Sequence, residues 1–165
     1  YDAVSQLSKS GFKRTAIVGY DSEMIHIQER YRGYEEAMQE FQPNSESLLG
    51  KVRYQHIDQD IEQILDSLIN QDQGIDSIVF ATNTLTVSGL YFFQKNQIKI
   101  PESIAVIGFD GNVAFDFFYS PLTYIKQPVH EMGKKAVEIL INKINGSEEH
   151  EQVKLNHKLI VRDSS

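Results

Sequence analysis

The sequence predicts an α/β fold, an open parallel sheet flanked by helices. Two observations carry this. Short apolar runs of strand length alternate along the whole chain with longer segments whose apolar residues recur every three or four positions. Breakers such as Pro43-Asn44-Ser45 and Asn145-Gly146 separate the two kinds of segment.

Thr15 to Tyr20 reads as the first strand. Ile27, Tyr31, Tyr34, Met38 and Phe41 then share one helical face, so 27–41 is an amphipathic helix. Lys51 to Ile57 reads as a second strand. The helix marked by Ile61, Ile64, Leu65, Leu68 and Ile69 follows, with Asp60 as its expected N-cap. Asp76 to Ala81 is a third strand and Leu85 to Gln94 the next helix. Ser103 to Phe109 and Leu122 to Ile125 are further strands. Val129, Met132, Ala136, Val137, Leu140 and Ile144 define a long amphipathic helix that stops at Asn145-Gly146, where glycine suits a left-handed cap. Val153 to Leu155 and Lys158 to Val161 are expected to close the fold as short strands.

The length of 165 residues fits one domain with a real core, and 41% hydrophobic residues make it globular. No apolar run approaches the roughly 18 residues of a membrane span. The chain opens on Tyr1, so it is read as an excerpt whose upstream signals lie out of view. The net charge is −7 and the basic residues are scattered, which argues against a DNA-contacting face on this piece. Absence of cysteine excludes disulfides, thiolate metal sites and cysteine nucleophiles, and is compatible with cytosol.

Three polar residues follow three strands. Arg30 lies near the start of the helix after the first strand, Asn83 just beyond the third, and Asp110 directly after the 103–109 strand. Parallel strands would bring all three to one sheet edge, where open α/β sheets hold ligands. An arginine fork donates, a carboxylate accepts and an amide does both, a set suited to a polyhydroxylated ligand. Plainer readings stand beside this one: Arg30 pairing with a helix-face acid, Asn83 capping the next helix, Asp110 capping a turn. Asp58 is a further candidate for the same wall, with a loop or capping role as its alternative.

Enzyme motifs are missing. His130-Glu131 begins like a zinc-protease helix, but position 134 is Lys134 rather than His. His26, His56, His150 and His157 have no ligand-like spacing. There is no Gly-x-Ser-x-Gly elbow, phosphate-binding Gly-Lys loop or dinucleotide fingerprint. No catalytic residue, metal site or cofactor is expected. The stretch Ala114-Phe115-Asp116-Phe117-Phe118-Tyr119 holds more aromatics than one short helix can turn inward, which suggests a partner surface.

The wording "IPESIAVIGFD…SPLTYIKQP…MGKKAVEIL" resembles the effector-binding core of LacI/GalR-type transcriptional repressors. "GFKRTAIVGY", "ERYRGYEEAM", "IVFATNTLTVSGL" and "LIVRDSS" are similar to further motifs of that family, in the same order. The resemblance implies a periplasmic-binding-protein-like type I lobe. Residues 1–126 would form the C-terminal lobe, 127–147 a helix crossing to an N-terminal lobe, and 148–165 the return. The DNA-binding headpiece would lie outside this chain. Arg30, three residues before Gly33, matches the family's effector-contacting Arg, and Asn83 and Asp110 match its Asn and Asp. The 114–119 segment and the Leu85–Gln94 helix would help build a homodimer, with Ser88, Tyr91, Phe117 and Phe118 near the contact.

The resemblance thus implies a cytoplasmic effector-sensing domain of a repressor. A small sugar or sugar derivative would bind between the lobes, and its binding would be coupled to operator DNA through the headpiece. Some family members also bind a phosphocarrier protein. The sequence departs from the family pattern at Phe12 (usually His), Thr84 (usually Asp) and Gly111 (usually Asp). Two fewer acids near the cleft lean the effector toward a sugar phosphate or sugar acid. A solute-binding protein for sugar transport is the alternative. A phosphoacceptor domain on a flavodoxin-like sheet is a third reading, disfavoured because Thr82-Asn83 stands where the acceptor Asp belongs.

Overall fold

The computed structural model describes residues 1–72, 74–111 and 113–165. Helix α1 (Asp2–Lys9) precedes strand β1 (Thr15–Tyr20), helix α2 (Ile25–Phe41), β2 (Leu48–Val52), α3 (Ile57–Asn70) and β3 (Ser77–Phe80). Then come α4 (Asn83–Lys95), β4 (Ala105–Phe109), the short α5 (Ala114–Phe117), β5 (Thr123–Lys126), α6 (Val129–Ile144) and β6 (Lys158–Ile160). The six strands form one sheet in the order β2-β1-β3-β4-β5-β6. The first five run parallel and β6 adds antiparallel to β5.

The central strands are apolar on both faces, as a sheet covered on both sides requires. Along β1, Ala16, Val18 and Tyr20 face one way into a core built with Ile61, Leu65, Leu85 and Phe93 of α3 and α4. Ile17 faces the other way, with Val79 and Ile107, into a core built with Leu7, Ile27 and Tyr34 of α1 and α2. Helices α2 and α3 therefore lie on opposite faces. Strand order reverses between β1 and β3, which makes the gap beyond their carboxyl ends a topological switch point.

Close approach of α4 to the sheet depends on Gly89. A Cβ there would sit 2.1 Å from Cζ of the fully buried Phe80 ring.

The second strand and the helix after it differ from expectation. Strand β2 ends at Val52 and α3 starts at Ile57, with His56 as its N-cap residue. Asp60 is thus not the cap. It lies within the helix, 6% exposed, and its carboxylate accepts bonds from the Arg53 backbone N (2.9 Å), Nε (2.9 Å) and Nη2 (2.6 Å). That capture turns the chain at Arg53 and ends the strand. Residues 153–155 form no strand, and α1 was not anticipated. Gly146 does take the left-handed conformation after α6, at φ 94°.

Helix α6 buries none of its residues. Val137, Leu140, Ile141 and Ile144 are all at least half exposed, an apolar stripe without a partner among the described residues. No helix among the described residues is long and apolar enough to cross a membrane.

Candidate functional site

Arg30, Asn83 and Asp110 converge at the carboxyl ends of β1, β3 and β4. Arg30 projects from the second turn of α2, and its guanidinium carbon lies 3.8 Å from the centroid of the Phe109 ring. Its Nη1 donates to the carbonyl of Ala81, the residue after β3. The helix-face acids are served by Arg32 instead, which pairs with Glu29 and Glu36. Burial lowers the Arg30 pKa below its ordinary value, while the nearby Asp110 charge acts in the opposite direction.

Asn83 is the first residue of α4. The capping role belongs to Thr82, whose Oγ1 accepts from Leu85 N at 3.4 Å. The Asn83 side chain is thereby released for another task, and its Nδ2 donates to the Asp110 carbonyl at 2.9 Å. Asp110 itself sits at φ 59°, a left-handed backbone that aspartate tolerates better than most residues. Its backbone N donates to Ile125 O at 2.8 Å, and its Oδ1 accepts from Gln127 Nε2 at 2.8 Å. Asp110 is therefore fixed by β5 as well as by α4. At the next residue, Gly111, a Cβ would meet the Tyr124 ring at 2.7 Å, so a second acid there would require that ring to move.

Arg30, Phe109 and Gln127 also line a largely apolar, partly open cavity of about 920 Å³, together with Met132 and Ile139 of α6 and Leu155. Asn83 and Asp110 are not among its lining residues. They join it through Gln127.

Asp58 lies apart from the trio. It is exposed in the first turn of α3 and lines a second depression of about 520 Å³ with Tyr54, His56, Thr84 and Ser88. Tyr54 stacks on Tyr20 with ring centroids 3.9 Å apart. Among the described residues no group of three or more His, Cys, Asp or Glu side chains is arranged to hold a metal ion.

The aromatic residues of the expected dimer surface divide into two kinds. Tyr91 and Phe117 are 70% and 83% exposed, whereas Phe118 is half-buried against the core and Phe115 fully buried. Ser88 is half-buried on the rim of the second depression.

Three residues of this geometry escaped the reading of the sequence. From the sequence Phe109 reads only as the last residue of a strand, Gln127 only as part of a motif, and Tyr54 as part of a strand. The order Phe109-Asp110 at a strand end was a usable signal for the first. Gln127 carried none, since its role depends on a neighbour 17 residues away.

A mostly parallel sheet in this order, with helices on both faces and a polar trio at its switch point, is the architecture of a doubly wound α/β lobe. The chain belongs to the periplasmic binding protein-like domain family, matched over residues 4–165. It is 32% identical over 99% of its length to the HTH-type transcriptional repressor PurR of Vibrio vulnificus and covers 49% of that protein. A LacI family transcriptional regulator from Enterococcus faecium, with bound ribose, has the same fold. Its TM-score is 0.86 over 100% of this chain and 61% of that chain, at 21% identity. A complex of the transcriptional regulator CelR with cellobiose gives a TM-score of 0.80 at 25% identity, over 98% of this chain and 50% of that chain. The chain spans about half the length of the curated relatives it matches, and those relatives are transcriptional regulators.

Proposed function

We propose that this chain is the C-terminal part of the effector-sensing core of a cytoplasmic, DNA-binding transcriptional regulator, and that its effector is a small sugar or sugar derivative. The single observation that carries this reading is the convergence of Arg30, Asn83 and Asp110 at the switch point beyond β1, β3 and β4. A cation, an amide and a carboxylate on an aromatic floor make a set of donors and acceptors matched to several hydroxyls. Cellobiose in the CelR complex supports the ligand class. Thr84 and Gly111 bring no carboxylate at their own two positions, so a sugar phosphate or sugar acid would meet less repulsion there than beside two further acids.

In this reading residues 1–126 and 148–165 form one lobe, and 127–147 carry the crossing helix to a second lobe outside this chain. The exposed apolar stripe of α6 supports that division. The effector shifts the angle between lobes by binding one arrangement better than the other. Operator contact belongs to a headpiece outside this chain, and a homodimer forms through the surface holding Ser88, Tyr91, Phe117 and Phe118.

The test is a thermal-shift screen of the full-length protein against sugars, sugar phosphates and sugar acids. A ligand at about 100 times its Kd stabilises by roughly 2.7 kcal/mol, a rise of several degrees. A shift that disappears in Asp110→Ala supports the reading. A shift that persists in both Asp110→Ala and Arg30→Ala rules out this site.

A further inference from the structure

The joint between β5 and α6 is two residues long, Gln127 and Pro128. It is also where the cleft carboxylate is tied down. From this juxtaposition we infer that Gln127 is a positioning residue that carries the state of Asp110 into α6. The inference rests on reading Asp110 as an effector contact.

The geometry leaves few other ways to hold the joint. Gln127 is half-buried and gives its amide hydrogens to Asp110 Oδ1. Lys126 before it pairs with Lys158 of β6, so the backbone up to that point is fixed by the sheet. Pro128 after it has a ring-restrained φ and passes any movement of Gln127 on to the helix. The helix start has no side-chain cap, and α6 buries no residue, so little else on this lobe resists such movement. At its other end Asp110 is braced by Asn83, through the carbonyl, and by Ile125, through the backbone N. The carboxylate is thus the moving part of an otherwise fixed residue. A ligand hydroxyl that donates to Oδ1 shares that acceptor with Gln127 or takes the bond from it, and one that donates to the other oxygen turns the same carboxylate against Gln127. Each event alters the restraint on the first turn of α6, and the charge of Arg30 beside Asp110 weights which of them occurs.

The test needs no effector, so its failure is separable from failure of the ligand screen. Hydrogen exchange is followed at Met132 to Ala136 in the full-length protein, with the α3 amides as an internal record of folding. Asp110→Ala and Gln127→Ala should each speed exchange in that turn by on the order of threefold or more, and the double variant by no more than either single. Asp110→Asn keeps an oxygen for Gln127 and should return the turn to the wild-type rate, which a general loss of packing at position 110 would not do. Multiplied effects in the double variant, or wild-type exchange in Asp110→Ala, overturn the inference. If Gln127→Ala does not fold, Gln127→Glu, which sets a carboxylate against Asp110 Oδ1, takes its place and should speed exchange in the same turn, and a wild-type rate there overturns the inference.

Discussion

The Arg30 guanidinium lies over the Phe109 ring, 3.8 Å from its centroid, and hydrogen-bonds the Ala81 carbonyl from that position. A flat, delocalised cation fits between a ring face and a backbone oxygen, whereas a lysine ammonium would lose the stacked face and the fork. Arg30→Lys should therefore weaken effector binding by at least about tenfold, roughly 1.4 kcal/mol, while leaving the fold intact. Calorimetric titration of the first ligand found by the thermal screen checks this. An unchanged Kd in Arg30→Lys would mean that only the charge matters.

The Asp60–Arg53 contact predicts a pH dependence. Hydrogen bonds from the Arg53 side chain, then from its backbone N, hold the Asp60 carboxyl at about 2, below its ordinary value of 3.8. A carboxyl with a depressed pKa in the folded state adds stability above its unfolded pKa and loses it as pH falls toward the folded one. Tm should thus decline between about pH 5 and pH 2, and Asp60→Asn should shrink that slope. At neutral pH the same substitution should cost several degrees, because the turn at Arg53 loses its charged acceptor. A Tm–pH curve of Asp60→Asn parallel to wild type would assign the acid sensitivity elsewhere.

Gly89→Ala tests how tightly α4 lies on the sheet. The added methyl would fall 2.1 Å from a carbon of the buried Phe80 ring, so helix or ring must move. Overpacking of this kind costs about 1–3 kcal/mol. On an open helix face the same change would be stabilising, since alanine is the better helix former by about 1 kcal/mol. The sign of the change in Tm therefore discriminates directly, and a stabilised variant would mean that α4 stands farther from β3.

Exposure separates the residues of the proposed dimer surface into useful and misleading probes. Phe118 is half-buried, so Phe118→Asp would damage the core and confuse the result. Phe117 and Tyr91 are largely exposed. The double variant Phe117→Asp, Tyr91→Asp should keep the wild-type Tm of the 165-residue chain within a few degrees and lower the sedimentation mass of the full-length protein to that of a monomer. A retained dimer mass places the interface on another face.

How much of this was legible beforehand depended on where the determining contacts lie. Strands β1, β3 and β4 are apolar on both faces, and such runs declare themselves. The trio of polar residues was legible for the same reason, since each stands at or soon after the end of one of those runs. Strand β2 lies earlier than the sequence suggests because Val52, Tyr54 and Ile57 look strand-like, while the chain is in fact turned by a bond from Arg53 to Asp60, a contact between residues seven apart that has no periodic signature. Asp58 moved with that error, from a strand end into the first turn of α3. Helix α1 was missed because it is only eight residues long and buries only Ala3, Val4, Ser5 and Leu7. Gln127 depends on Asp110, a partner in another strand connection, which no local pattern could supply.

The apolar stripe of α6 gives the sharpest test of the proposed division into lobes. Leu140 is 58% exposed in this chain, and Ile141 and Ile144 beside it are at least half exposed. Placing a charge at an exposed position usually changes stability by no more than about 0.5 kcal/mol, so Leu140→Glu should leave the Tm of the 165-residue chain almost unmoved. If α6 crosses to a second lobe, the same side chain is buried there in the complete protein. The substitution should then cost about 2–5 kcal/mol, as loss of a core leucine does, with the added cost of an unpaired carboxylate. The comparison of one variant in two lengths of chain separates packing on an absent lobe from exposure to solvent. Equal Tm changes in both would leave α6 as a surface helix of this lobe and would remove its part in coupling the effector to the rest of the protein.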